Sequence, residues 1–297
     1  MRKVVEAGGP LLGALAAIIP EASRTTLRQM LAAGRIEVNG AVEKVARLEL
    51  KPGDVVSIGS REQHSLLPAE VARLYEDDAL MVVVKPPGLL TVATAGERER
   101  TLQAMLNGYL RATGKGSRIH VVHRLDREAS GILVFAKSHE IREMLKERFA
   151  AHDIDRVYSA VVEGAPQPPA GMVRSHLWEG RDLTVRSVDP SAYPNAKLAV
   201  THYRTLGAGS RYAEVEVTLE TGRKNQIRAH LSEKGNPIVG DDRYGAATNP
   251  LGRLALHARI LGFEHPATGK AMRFENGAPS SFRELIDRTA PERHRSL

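Results

Sequence analysis

Apolar positions Leu12, Leu15, Ala16 and Ile19 recur at helical spacing and stop at Pro20, which predicts a first short helix. Ser23 is placed to cap a second helix over 25–33, closed by Gly34. Strand-like pieces follow at 35–38 and 55–58, with turn signals at Asn39-Gly40 and Pro52-Gly53. Residues 1–60 therefore read as a small two-helix unit with a hairpin. The stretch 59–68 is polar and without period, so a linker is expected at 61–70 and a second domain over 71–297.

In that second part the pattern predicts strands at 80–85, 131–137, 157–163, 200–205 and 212–219, and helices at 101–112, 139–152, 224–234 and 281–288. Several strands follow one another with no helix between them. This favours an α+β fold with a mixed, largely antiparallel sheet over a doubly wound parallel one. No internal repeat is present, and the only biased segment is a short Pro/Gly/Ala turn at 165–171.

Composition narrows the class. With 42% hydrophobic and 26% charged residues in 297, the chain is neither disordered nor fibrous. Its longest apolar stretches, near 11–20 and 80–84, are too short to span a bilayer, and the start lacks the apolar core of a signal peptide. A cytoplasmic protein is expected. No cysteine occurs, so disulfides, thiolate metal sites and cysteine nucleophiles are excluded together. A net charge of +7 and a pI near 9.7 favour a polyanionic partner such as nucleic acid.

Two clusters can carry chemistry. His123-Arg124-Leu125-Asp126-Arg127 sets a carboxylate between two guanidinium groups just before the Ser130-Gly131 turn. Such a carboxylate can act as nucleophile or general base, and the same residues also suit a plain surface ion pair. The run from Glu220 through Gly222, Arg223, Lys224, Asn225, Ile227 and Arg228 to His230 follows a strand and opens a helix. Thr221 or Gly222 is expected to cap it, with positive charge gathered where an anion docks; a solvated basic helix start is the plainer alternative. Tyr158 lies in a strand-like run and becomes functional only with a partner across the sheet. There is no phosphate-loop motif and no Gly-x-Ser-x-Gly elbow, and His120-x-x-His123 is a two-ligand fragment without a third ligand.

Taken in order, these blocks resemble the pseudouridine synthases of the large family that modifies large-subunit ribosomal RNA and transfer RNA. The resemblance runs over nearly all of 71–290: Val84-Lys85-Pro86-Pro87-Gly88-Leu89, His123-Arg124-Leu125-Asp126 with Ser130-Gly131, Tyr158, Thr221 to Arg228, Pro237 to Gly245, and Leu256-His257-Ala258 with Phe263 to Pro266. It implies a mixed sheet around a central cleft, with Asp126 as the essential carboxylate. The reaction it implies breaks the N–C glycosidic bond of uridine, turns the base, and forms a C–C bond to the same ribose, with no cofactor and no metal. By the same resemblance Tyr158 packs against the target base, Arg228 pairs with the carboxylate, Arg124 is associated with base flipping and Ile227 is the apolar site residue. Arg223 and Lys224 are expected to bind substrate. Ala129 stands where the family usually has threonine, and Asn225 replaces a more frequent histidine.

Residues 1–60 resemble the small RNA-binding module named after ribosomal protein S-four, through Ser23 to Leu27, Gly34 to Gly40 and Lys51 to Val56. Eight basic and six acidic residues leave that stretch only +2, so an RNA grip there rests on Arg24, Arg28 and Arg35 clustering on one side. A monomer acting on RNA, away from membranes, is the expected whole. The rival readings are a catalytically silent RNA-binding or ribosome-assembly factor on the same scaffold, and an RNA methyltransferase. Asp126, Tyr158 and Arg228 together speak against the first, and the lack of a glycine-rich nucleotide loop against the second.

Overall fold

Ser130–Ala136 is buried at every one of its seven positions, as a strand covered on both faces must be. It pairs antiparallel with Leu80–Lys85 on one side and parallel with Leu256–Glu264 on the other. Around it the computed structural model, which describes residues 2–32, 34–59, 67–94, 96–114 and 118–288, builds an eleven-stranded sheet. Its path runs Val185–Val188, Ala170–Glu179, Lys197–Ala208, Tyr212–Leu219, Asp155–Glu163, Leu256–Glu264, Ser130–Ala136, Leu80–Lys85, Ala72–Glu76. Ala271–Glu275 is added beside Leu256–Glu264, and His120–Val121 beside Ser130–Ala136. Among its strand pairs only Ser130–Ala136 with Leu256–Glu264 is parallel, so the expected mixed, largely antiparallel α+β class holds.

The parallel crossing demands a glycine. Gly131 has φ +121°, and a Cβ there would lie 2.3 Å from the carbonyl oxygen of Ala258. Any side chain would force the two strands apart at their only ladder contacts, Ser130 to His257 and Gly131 to Ala258. Beneath, Ser130 Oγ lies 2.8 Å from His257 Nδ1 and accepts from Arg253 Nη2 at 2.8 Å. Asn276 O can only accept, so the imidazole, which burial keeps neutral, carries its proton on Nε2 and donates there, and Nδ1 accepts from Ser130 Oγ.

Helices flank this sheet. His139–Ala150 is capped by Ser138, whose Oγ accepts from Ile141 N, and it buries Leu145 against Ile132 and Val134. Gln226–Glu233 packs Ala229 on Leu177, Val185 and Ala199. The strands Ala72–Glu76, Ala170–Glu179, Val185–Val188, Leu256–Glu264 and Ala271–Glu275 were not expected. Each mixes charged or small residues into its alternation, and Ala170 and Gly171 belong to the Pro/Gly/Ala run whose composition predicts a turn.

In the smaller unit Arg2–Val4, Val55–Ile58, Ile36–Val38 and Ala41–Val42 form a four-stranded sheet, in that order. Helices Leu11–Ile18 and Arg24–Ala32 bury Leu11, Leu15, Leu27 and Leu31 with Ile36 and Val56. Ser23 caps the second as expected, its Oγ accepting from Thr26 N at 3.1 Å. By compactness the chain divides into residues 1–69 with 106–118, and 70–105 with 119–297. The segment 106–118, which the sequence reading keeps with the larger domain, is thereby grouped with the smaller. Residues 60–66, most of the expected linker, lie outside the described residues. Among the described residues no helix is long and apolar enough to cross a membrane.

Candidate active site

Asp126 sits in a loop whose neighbours on both sides are held by backbone bonds. Before it, Thr91 Oγ1 donates to Leu125 O at 2.9 Å and accepts from Leu125 N at 3.2 Å. After it, Arg127 O accepts from Gly88 N at 2.8 Å and from Lys85 Nζ at 3.0 Å. Lys85 is fully buried, and it also donates to Pro86 O and Leu89 O. Three carbonyls match the three hydrogens of an ammonium, whereas burial pushes its pKa down to about 7. The Lys-Pro-Pro-Gly block thus acts as a clamp on the Asp126 loop.

Opposite Asp126, Arg228 projects from the first turn of Gln226–Glu233. Its Nε and Nη2 make a bidentate pair with Asp241, both at 2.7 Å, and its Nη1 reaches Asp126 Oδ2 at 3.1 Å. The plane lies over the ring of Tyr244, 4.8 Å from its centroid. The Asp241 carboxylate has no exposed surface, while that of Asp126 is 27% exposed. Burial opposes the charge on Arg228, but Asp241 and then Asp126 outweigh it and raise the guanidinium's pKa further. Asp241 therefore fixes the guanidinium and leaves one nitrogen for Asp126. Oδ1 of Asp126 has no protein partner among the described residues. The unpaired oxygen of a held, half-open carboxylate is the group that can meet a substrate.

Tyr158 is brought to the same place by register. Gly131 faces Ala258, Ala258 faces Tyr158, and Tyr158 faces Val217, so the tyrosine stands on the row where the Asp126 loop enters the sheet. The register shifts between Val157 and Tyr158, where Arg259 of the partner strand is left without an opposite residue. Burial raises the Tyr158 pKa, the charge of Asp126 pushes the same way, and Arg156 opposes. The phenol stays protonated at neutral pH.

Arg228 thus pairs with Asp126, Tyr158 lies within reach of the Asp126 charge, and Ile227, next to Arg228 in the chain, is buried. Arg124 is exposed, and its side chain makes no hydrogen bond among the described residues. Arg223 Nε donates to Leu198 O at 3.0 Å, and Lys224 pairs with Glu179. Neither Thr221 nor Gly222 caps the helix. The cap is Asn225, in the left-handed conformation at φ 51°, which asparagine adopts readily, and its Oδ1 accepts from Arg228 Nη1 at 3.3 Å. Thr221 instead donates to Gln226 Oε1, which also accepts from Arg223 N, closing the turn. In the smaller unit Arg24 and Arg28 are exposed one helical turn apart, whereas Arg35 is half-buried and donates to Gly59 O. The sequence reading missed Asp241 and Tyr244 as site residues, although both stand in the quoted block ending at Gly245.

Comparison with known proteins decides the family. Residues 79–233 match the family model described as RNA pseudouridylate synthase. The chain belongs to this family. Ribosomal large subunit pseudouridine synthase D of Pseudomonas aeruginosa is 33% identical over 95% of this chain and 92% of its own length. An uncharacterized RNA pseudouridine synthase of Bacillus subtilis is 34% identical over 89% of each. Among solved structures, human RNA pseudouridylate synthase domain containing 4 superposes with a TM-score of 0.61 at 27% identity, covering 73% of this chain and 92% of that one. As a pseudouridine synthase the protein is an isomerase that converts uridine in RNA to pseudouridine, by rearrangement within one nucleotide.

Proposed function

We propose that the synthase acts on uridines of large-subunit ribosomal RNA, as a cytoplasmic monomer, through Asp126, Tyr158 and Arg228. What supports the active-site reading is one arrangement: Arg228, anchored by Asp241, holds Asp126 by one oxygen and leaves the other unpaired. What supports the RNA class is the name that several relatives carry, ribosomal large subunit pseudouridine synthase D, at 32–33% identity over 92–95% of this chain. A uridine stacked in a helix is out of reach, so it is flipped at a cost of a few kcal/mol, and the exposed Arg124 enters the space it leaves. Tyr158 lies against the flipped base, where stacking contributes about 1–3 kcal/mol and retains the uracil once it is detached. Oδ1 of Asp126 then attacks the sugar or removes a proton from it; the same oxygen serves either step. Mapping pseudouridines in RNA from cells with and without the gene tests the reading. Sites in large-subunit RNA are expected to vanish and to return with the wild-type chain; loss confined to transfer RNA would overturn the substrate assignment.

Tyr158→Phe keeps the ring and removes the hydroxyl. RNA affinity is expected to stay within about twofold, since stacking is a property of the ring, while turnover under single-turnover conditions falls. A folded variant that has lost affinity would refute the stacking role.

The smaller unit is assigned the RNA grip of an S-four-like module over residues 1–60. Arg24→Ala with Arg28→Ala should weaken RNA binding and lower the log–log salt slope by about 1.4–1.8, at 0.7–0.9 per phosphate contact. The rate at saturating RNA should not move. An unchanged slope would remove these arginines from the interface.

A further inference from the structure

Among the described residues Arg156 is a cation without an anion. On strand Asp155–Glu163, two residues before Tyr158, it is 6% exposed and has no carboxylate partner among the described residues. Its guanidinium rests 5.3 Å from the centroid of Phe149, which in turn stacks on His123 at 4.7 Å. Nη2 donates to Glu220 O at 2.9 Å and, at longer range, to Leu219 O at 3.4 Å. Nε is buried with no acceptor. Nη1 makes no hydrogen bond, and it lies 2.5 Å from where a Cβ on Gly222 would stand. Gly222 is exposed and directly precedes Arg223, whose charge also reaches Arg156.

Taking a guanidinium out of water costs several kcal/mol unless a counter-charge meets it, and a ring face with two carbonyls compensates only in part. Burial accordingly pushes the Arg156 pKa down; Tyr158 opposes this, and Arg223 adds to it. Packing alone would favour an apolar side chain of the same length here. The glycine beside Nη1 matters as well, because any other residue would occupy the space next to this unused donor.

We infer that Arg156 Nη1, reached past Gly222 and reinforced by Arg223, receives a negatively charged oxygen of the flipped nucleotide. This rests on the functional reading above. The oxygen belongs either to the phosphate of that nucleotide or to the uracil ring, which carries negative charge when its bond to the sugar breaks.

Arg156→Met in the full chain separates ligand recognition from packing, with Gly222→Ala as a second variant that keeps the arginine but crowds Nη1. Thermal stability, RNA affinity at several salt concentrations and single-turnover rate are measured with total RNA from a strain lacking the gene. The expected result is that Arg156→Met melts at or above the wild-type temperature yet is impaired by about tenfold or more, and Gly222→Ala is impaired less. A phosphate contact shows as weaker binding with the salt slope lowered by about 0.7–0.9. A uracil contact shows as a lower saturated rate with the slope unchanged. Wild-type affinity and rate in Arg156→Met overturn the inference, and so does a loss of activity that only follows a loss of stability. If the wild-type chain makes no pseudouridine in that RNA, the functional reading fails first.

Discussion

Asp126→Asn should form no detectable pseudouridine while melting and binding RNA much as the wild type does. The amide preserves the shape of the side chain, and the loop keeps its clamps, because Thr91 and Lys85 bind the backbone of Leu125 and Arg127 and not the carboxylate. Arg228 keeps its bidentate pair with Asp241, so no buried charge is stranded. What disappears is the charge and nucleophilicity of the free oxygen, and with them attack on the sugar and proton removal from it alike. The check is a single-turnover assay with a binding isotherm and a melting curve on the same preparation. Pseudouridine formed at even a tenth of the wild-type rate would place the chemistry elsewhere.

Arg228→Ala should act on stability as well as on catalysis. Asp241 has no exposed surface, and the substitution leaves its carboxylate buried without a partner, an error that costs about 3–5 kcal/mol. For a chain of this size that lowers the melting temperature by roughly 6–20 °C. Combining Arg228→Ala with Asp241→Leu removes both charges, and the double variant should recover much of the lost stability and none of the activity, since Asp126 still lacks its orienting partner. An Arg228→Ala protein that melts with the wild type would show that the buried pair does not carry the stability assigned to it.

The sequence made much of this legible for a physical reason. Leu80–Lys85 and Tyr212–Leu219 are dense in apolar and β-branched residues, so their burial pattern is written in a few consecutive positions, and both were bounded as observed. Leu256–Glu264 was not, because it carries His257, Arg259 and Gly262 in the middle of the sheet, where each is accommodated by a neighbour from a distant part of the chain. The site divides in the same way. Asp126 and Arg228 were legible because flanking charges mark them locally. Asp241 looks like any aspartate in a glycine-rich turn, and only the fold reveals that Arg228 spends two of its nitrogens on it. The cap of the Arg228 helix was misread because Asn225 works through its left-handed backbone, which Thr221 and Gly222 appeared to make unnecessary.

The position of Leu256–Glu264 has a consequence for how the protein is born. A ribosome delivers this strand after nearly everything it pairs with, yet it joins Asp155–Glu163 to Ser130–Ala136 in the middle of the sheet. Until then the nascent chain holds two half-sheets, each ending in an open edge, and one of those edges carries the apolar run Ile132 to Ala136, which the finished fold buries. Pairings so distant in sequence close slowly, and exposed apolar edges are where growing chains aggregate or recruit chaperones. Catalytic competence must therefore arrive late and all at once, when the last central strand slides between two surfaces already waiting for it.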